Sequence, residues 1–209
     1  MYFHKTPLWL QKVYTGLTWS IDSSDKTIYL TFDDGPIPEV TSFVLNQLRQ
    51  YQAKATFFCV GHNIEKFPLA FNEIIEEGHS IGNHTYNHLI GWHTPTVQYL
   101  ESIERCQNEI EKYTGIQNRK LFRPPHGRIS KKQMAFLKGN YEIVMWTYLT
   151  GDFDIALKKE KCLKSAIMKT EVNDIVVFHD SLKACKHLKY VLPEFLKHFS
   201  KLGFQFKAI

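Results

Sequence analysis

Short apolar runs alternate along this chain with longer segments in which apolar residues recur about every three or four positions. A continuous apolar run is typical of a buried strand, and the longer period is typical of an amphipathic helix. The runs predict strands at Thr27–Phe32, Ala55–Val60, Ser80–Asn83, Leu121–Arg123, Glu142–Thr147, Asp174–Phe178 and Gly203–Phe206. The periodic segments predict helices at Glu39–Tyr51, Asn63–Glu77, Pro95–Tyr113, Ser130–Lys138, Lys159–Lys169 and Leu188–Leu202. This alternation indicates an α/β fold, and seven such strands suggest an incomplete barrel.

Residues 1–26 precede the first predicted strand and contain an apolar stripe at helical spacing. Its members are Leu8, Trp9, Leu10, Val13, Tyr14 and Leu17. The stripe predicts a segment that packs over one end of the barrel, and contact with a membrane surface stays open as the alternative. Polar residues interrupt the segment too often for a signal peptide, and no stretch of the chain is apolar for long enough to span a bilayer. We therefore expect a cytoplasmic protein, unless a leader has been removed.

The composition is that of a folded globular protein. The 209 residues are 44% hydrophobic and 14% aromatic, which is enough for the core of one domain spanning residues 1–209. The net charge is only +5, and the lysine-rich stretches 158–164 and 183–189 are typical of solvated helix faces, so we expect no nucleic-acid partner. We also expect a monomer. No metal-like spacing relates the cysteines, which predicts unpaired thiols and no disulfide at Cys59, Cys106, Cys162 and Cys185.

Two carboxylates directly follow the first predicted strand. Asp33 and Asp34 belong to the sequence TFDDGP, residues 31–36. Neighbouring strand residues point apart, but a turn at Gly35 would direct both carboxylates toward one cavity with different tasks. The alternative is an acidic pair at the N-terminus of the following helix, and the doublet alone does not choose between the two interpretations.

Two histidines follow the third predicted strand. His84 and His88 stand in HTYNH and would meet on one face if this segment turned helically. With a carboxylate they would form a two-histidine, one-carboxylate metal site that leaves positions open for water and substrate. A chain with ten histidines also produces this spacing by chance. We expect structural or surface roles for His4, His62, His79, His93, His187 and His198.

Arg123 ends the fourth predicted strand and opens the sequence RPPHG. Pro124 and Pro125 stiffen the next turn and have no backbone N–H, so the amide of His126 is the first donor available after the strand. A rigid, exposed donor of this kind could stabilise an oxyanion. An ordinary proline-rich turn with an arginine salt bridge explains the same stretch equally well.

Titratable groups also follow two later predicted strands. Asp152 stands in GDFD, residues 151–154, and His179 stands in VVFHD, residues 176–180. Such a histidine is more often a satisfied core residue, but here it would share the barrel mouth with the carboxylates. Its carboxylate partner would be Asp152 or Asp180.

These five segments occur in the order and approximate spacing of the five motifs of the polysaccharide deacetylases, the NodB-homology family of carbohydrate esterases, which the chain resembles from Thr27 to its C-terminus. The resemblance implies a distorted (β/α)7 barrel similar to a TIM barrel. It also implies a divalent metal and the hydrolysis of N-acetyl groups from amino sugars. The expected metal is zinc, with cobalt or nickel in its place as the alternative.

The resemblance implies a role for each residue of the first three motifs. Asp34, His84 and His88 correspond to the metal ligands. Asp33 corresponds to the general base, which removes a proton from water, and Arg123 corresponds to the residue that orients this base.

The later motifs correspond to groups that handle the oxyanion and the leaving amine. The backbone amide of His126 matches the oxyanion donor. His179 matches the general acid that protonates the leaving amine, and Asp152 matches the carboxylate that keeps His179 protonated.

Three positions depart from the family pattern. His126 stands where the family often has Tyr or Phe, but the donor there is a main-chain amide, so the oxyanion role should tolerate the change. Phe153 stands in place of Trp and Val177 in place of Leu, and both would shape the acetyl pocket and admit a different or larger acyl group. Pro125 and Trp146 are the other expected substrate-binding residues.

The sequence therefore predicts a metal-dependent N-deacetylase whose partner is an N-acetylated carbohydrate of the chitooligosaccharide or peptidoglycan type. One alternative is a carbohydrate-binding protein on this scaffold, but binding alone would not need both Asp33 and His179. The other is an amidohydrolase acting on a non-sugar C–N bond. It stays open because fold and motifs do not determine what lies in the groove.

Overall fold

The computed structural model describes residues 2–116 and 118–209. The strands are β1 Thr27–Asp33, β2 Thr56–Cys59, β3 Ser80–Asn83, β4 Leu121–Phe122, β5 Glu142–Ile143, β6 Tyr148–Leu149, β7 Ile175–His179 and β8 Gln205–Lys207. The helices are α1 Leu8–Val13, α2 Pro38–Gln50, α3 Gly61–Lys66, α4 Pro68–Glu76, α5 Thr96–Thr114, α6 Lys131–Leu137, α7 Lys159–Lys169 and α8 Cys185–Lys201. Short 3₁₀ turns lie at Gly91–His93 and Pro125–Gly127.

The strands form one parallel, curled sheet in the order β5-β4-β3-β2-β1-β7-β6, and β8 pairs with the beginning of β1. Helices connect most of the successive strands, and the architecture confirms the predicted distorted (β/α)7 barrel. β5 and β6 are the two ends of this strand order, so the barrel is open between them.

β1 lies at the centre of the sheet and is buried along its whole length. Phe32 stacks between Phe57 of β2 and Phe178 of β7, with ring centroids 5.0 and 5.8 Å apart. A strand that is covered on both faces needs apolar residues at nearly every position, which explains why the sequence pattern is continuous here and does not alternate. The packed strand fixes the position of its last residue, Asp33.

The predicted strand Glu142–Thr147 is broken in the structure. β5 covers only its first two residues, and β6 starts after its end. Between them, the carbonyl oxygens of Val144 and Met145 accept hydrogen bonds from Arg123 at 3.2 and 2.8 Å. The N–H groups of Val144 and Met145 still donate to the carbonyls of Phe122 and Thr18, but their own carbonyls bind the Arg123 side chain, so the strand pairing is incomplete where the site is built.

The predicted helix Asn63–Glu77 is two helices, α3 and α4, separated at Phe67. Pro68 has no backbone N–H, and its ring would clash with the preceding helical turn, so one helix cannot continue through it. Pro68 stands instead at the start of α4, where proline is well tolerated.

The N-terminal apolar stripe is only partly buried. Leu10, Tyr14 and Leu17 pack against the apolar cluster that contains Trp19. The exposed members are Leu8, Trp9 and Val13. α1 ends at Val13, so the helical spacing does not extend through the later members of the stripe. None of the helices in residues 2–116 and 118–209 combines the length and the apolar character needed to cross a membrane.

Candidate active site

The motif residues meet at the carboxyl ends of the central strands. Asp33 ends β1, His84 follows β3, Arg123 follows β4 and His179 ends β7. Because these strands are parallel, their carboxyl ends lie at one edge of the sheet, where α/β barrels place their active sites. Asp34 has a left-handed φ of +80°, which turns the chain at the end of β1. Asp33 therefore contacts Arg123, whereas Asp34 contacts the histidines.

Asp34, His84 and His88 form a cluster with the donor atoms of a metal site. One ligand atom from each residue lies within 4.8 Å of the other two. Oδ1 of Asp34 is 3.7 Å from Nε2 of His84 and 3.2 Å from Nε2 of His88. The two histidines do not share a helical turn, because Thr85 and His88 have left-handed φ values of +63° and +55°. An irregular turn brings their rings to 5.1 Å.

The protonation states of this cluster suit a divalent cation. The Nδ1–H of His84 donates to the backbone carbonyl of Arg123 at 2.7 Å, which leaves Nε2 with its lone pair facing Asp34. Burial lowers the pKa of His84 to about 4, so the imidazole is neutral at neutral pH. Burial by itself would raise the pKa of Asp34, but the hydrogen bond from His88 and the charge of His179 outweigh it and lower that pKa below its usual range. Two imidazole nitrogens beside an ionised carboxylate fit zinc or a similar metal.

Arg123 is completely buried, and its guanidinium forms a hydrogen-bonded ion pair with the carboxylate of Asp33. Its Nη1 donates to Oδ1 of Asp33 and to Oγ1 of Thr31, each at 2.7 Å. Its Nε and Nη2 donate to the carbonyls of Val144 and Met145. A guanidinium whose nitrogens are fixed on several sides has little freedom to move, so it fixes the Asp33 carboxylate as well.

His179 is held by Asp152 through two hydrogen bonds. Its Nδ1–H donates to Oδ1 of Asp152 at 2.8 Å, and its backbone N–H donates to Oδ2 at 2.8 Å. Burial would lower the pKa of His179, but the charge of Asp152 and the hydrogen bond to it outweigh burial and raise that pKa to about 9. The sequence left Asp152 and Asp180 as possible carboxylate partners of His179, and in the structure the partner is Asp152.

Asp180 has a different set of contacts. It accepts hydrogen bonds from the backbone N–H of Gly35 at 3.0 Å and from Oγ1 of Thr41 at 2.6 Å. A Cβ on Gly35 would lie 2.0 Å from Oδ2 of Asp180, so only glycine fits at this place. Through these two hydrogen bonds, Asp180 connects helix α2 with the turn in which Asp34 lies. Sequence reasoning missed this contact, although Asp180 belongs to one of the motifs.

The 3₁₀ turn Pro125–Gly127 forms the next wall of the site. His126 has a left-handed φ of +57°, and its ring lies 5.0 Å from the ring of His88. Gly127 also has a positive φ, and a Cβ on it would lie 2.8 Å from the indole of Trp146. Trp146 therefore supports the turn that carries the His126 amide.

The opposite wall contains Phe153, whose ring lies 4.9 Å from the ring of His179. Val177 lies in β7 two residues before His179 and has no exposed surface. The positions of Phe153 and Trp146 are compatible with the expected pocket. A direct contact between Val177 and substrate stays a prediction.

Comparison with known proteins places the chain in a family. A family model described as polysaccharide deacetylase matches residues 20–140, which is more than half of the chain. The chain belongs to the polysaccharide deacetylase family, and the predicted resemblance to this family is confirmed.

Relatives with curated names act on N-acetylated sugars. A peptidoglycan-N-acetylglucosamine deacetylase of Bacillus cereus is 32% identical over 195 residues, covering 92% of this chain and 91% of that protein. A chitooligosaccharide deacetylase of Azorhizobium caulinodans is 31% identical over 164 residues, covering 77% of this chain and 76% of that protein. Among solved structures, the Bc1960 peptidoglycan N-acetylglucosamine deacetylase superposes with a TM-score of 0.88 at 28% identity, covering 98% of this chain and 95% of the other.

Proposed function

We propose that this protein is a metal-dependent hydrolase that removes N-acetyl groups from an amino-sugar-containing polysaccharide or oligosaccharide of the chitooligosaccharide or peptidoglycan type. One observation carries the proposal. One edge of the sheet carries a cluster of possible metal-ligand atoms from Asp34, His84 and His88. At the same edge, Arg123 fixes the carboxylate of Asp33, and Asp152 fixes the imidazole of His179. The family relationship and the names of the relatives support the sugar substrate.

Zinc, or cobalt or nickel in its place, would be held by Asp34, His84 and His88, and when bound it would polarise the acetyl carbonyl and make water more acidic. Asp33 accepts the proton of the attacking water, and the hydrogen bond that Arg123 donates to it fixes the orientation of the carboxylate. The backbone N–H of His126 donates to the oxyanion from a turn that two prolines make rigid.

His179 protonates the leaving amine. Its Nδ1–H is occupied by Asp152, so the proton that it transfers comes from Nε2. With its pKa raised to about 9, His179 carries this proton at neutral pH. Amide hydrolysis needs such an acid because a free amide anion is a very poor leaving group.

The substrate is identified by following acetate release from a panel. The metal-loaded protein is incubated separately with chitooligosaccharide, peptidoglycan fragments, a lipid-linked N-acetyl sugar and a small non-sugar N-acetyl compound. Release from one of the sugars supports the proposal. Release from the non-sugar compound alone favours the amidohydrolase alternative, and tight binding of a sugar without any release favours a binding protein.

Metal binding depends on the two histidines of HTYNH. We expect His84→Ala and His88→Ala each to lower the affinity for zinc by more than about 100-fold, because each removes a ligand atom. Elemental analysis after dialysis against buffered zinc measures this. His93→Ala is the matched control, because His93 is an exposed imidazole outside the cluster. Parent-like zinc content in both variants would contradict the assignment.

Asp152 sets the alkaline limit of activity. Asp152→Asn removes the carboxylate that contributes most to offsetting the burial of His179, and only the smaller effects of Asp34 and Asp33 remain, so the pKa of His179 falls from its raised value. The alkaline limb of the kcat/KM profile should then move to lower pH, and the loss of activity should be larger at pH 8 than at pH 6. An alkaline limb at the parent position in the variant, with zinc content retained, would show that His179 does not owe its proton to Asp152.

A further inference from the structure

The first residues of the chain lie along the free edge of β6. Lys5 and Tyr148 form an antiparallel bridge. The backbone N–H of Leu149 donates to the carbonyl of His4 at 2.7 Å, and the backbone N–H of Thr6 donates to the carbonyl of Thr147 at 2.8 Å. Because β6 is an end of the strand order, this segment occupies an edge that would otherwise be unpaired.

The same segment reaches the loop that follows β6. The Nδ1–H of His4 donates to the carbonyl of Leu149 at 2.9 Å, and the hydroxyl of Tyr2 donates to Oδ2 of Asp154 at 3.1 Å. Gly151 has a φ of +79°, and a Cβ on it would lie 2.8 Å from both Cε1 of His4 and the hydroxyl oxygen of Tyr2. The loop and the N-terminal segment are therefore packed against each other without room for a side chain at Gly151.

A row of aromatic rings leads from Tyr2 to the general acid. The ring of Tyr2 lies 5.1 Å from that of Phe153, and the ring of Phe153 lies 4.9 Å from that of His179. The residue before Phe153 is Asp152, whose carboxylate holds His179. Tyr2 thus contacts Phe153, which in turn contacts His179.

We propose that Tyr2 is a positioning residue for the reaction, and that it holds Phe153 against His179. This inference rests on the proposed function. Phe153 is only partly buried, so its contacts with the Tyr2 ring and with Nζ of Lys183, 5.7 Å from its ring centroid, take the place of core packing. Loss of the Tyr2 ring leaves a gap behind Phe153 into which the loop 150–154 can move. Movement of this loop would shift His179 relative to the leaving amine. Such a shift lowers kcat, because small errors in geometry strongly reduce the rate of proton transfer.

The test compares three variants of the zinc-loaded protein. Tyr2→Ala removes the ring and the hydroxyl, Tyr2→Phe keeps the ring, and Phe3→Ala is the control because its side chain is largely exposed next to Tyr2. On an N-acetyl sugar, Tyr2→Ala should lower kcat by about tenfold with a smaller change in KM. Tyr2→Phe should retain most of the parent kcat, and Phe3→Ala should resemble the parent. Hydrogen exchange of the peptide 150–154 should become faster in Tyr2→Ala, and zinc content should stay the same in all three.

Each contrary result has a distinct meaning. Either a parent-like kcat or parent-like hydrogen exchange in Tyr2→Ala would overturn the proposal. A loss of kcat in Tyr2→Phe or in Phe3→Ala as large as that in Tyr2→Ala would overturn it as well. A loss of zinc in Tyr2→Ala would also overturn it, because the effect would then pass through Asp34, His84 and His88. If the parent protein releases no acetate from any sugar, the proposed function fails. The exchange rates of residues 150–154 still decide whether Tyr2 holds this loop.

Discussion

Asp33→Asn is expected to keep its zinc and to lose about two to four powers of ten in kcat/KM for deacetylation, which is the usual contribution of one general base. The amide of asparagine has nearly the shape of the carboxylate but cannot take a proton from water. The proposed metal ligands, Asp34, His84 and His88, are untouched by the change. Acetate release and elemental analysis on the same sample measure both parts of the expectation.

The change also leaves Arg123 without its counter-ion, and an unpaired buried charge destabilises a protein by several kcal/mol, about 3–5 in measured cases. The loss of activity must therefore be separated from a loss of folded protein. Thr31→Val is the matched control, because it removes the other hydrogen-bond acceptor of Nη1 and leaves the base in place. We expect it to lower the melting temperature but to retain far more activity than Asp33→Asn. Comparable activity losses in two folded variants would mean that Asp33 acts only as a partner of Arg123.

His179→Ala is expected to lose about two to four powers of ten on an N-acetyl sugar, and much less on an activated aryl acetate. The amide substrate needs a proton on its leaving nitrogen, whereas an aryloxide leaves without help. Asp33→Asn is the comparison, because both substrates require an activated water and both should suffer. Equal losses of His179→Ala on amide and ester would contradict the general-acid role and assign His179 to substrate binding or structure.

Much of the barrel could be predicted from local pattern. β1, β2, β3 and β7 lie within about one residue of their predicted bounds or inside them. For β1, β2 and β7 the reason is that a strand buried on both faces leaves a largely apolar run in the sequence. The predicted helix Asn63–Glu77 was wrong at Pro68, although the proline itself signals the break, since it removes a backbone donor wherever it stands. The break after Ile143 was not readable, because it depends on Arg123 binding two carbonyls 21 and 22 residues further along the chain.

The candidate site, like the fold, could be predicted from the sequence only in part. The identity of its polar residues and their places at strand ends follow from the sequence, and the structure brings Asp34, His84 and His88 together. How the histidines meet was not predictable from HTYNH, because left-handed backbone conformations at Thr85 and His88 replace a helical turn. Nothing in the sequence indicated that Tyr2 lies behind Phe153.

By itself the sequence determined the α/β fold class, most of the strands, the motifs and the family, since all of these are recorded in neighbouring residues. Only the tertiary structure decided which carboxylate holds His179. Asp180 is adjacent to His179 in the chain but binds Gly35 and Thr41, whereas Asp152, 27 residues away, receives both hydrogen bonds of the histidine. The reason is that parallel strands bring distant residues side by side at their carboxyl ends, and the order and curl of the strands then set which side chains meet.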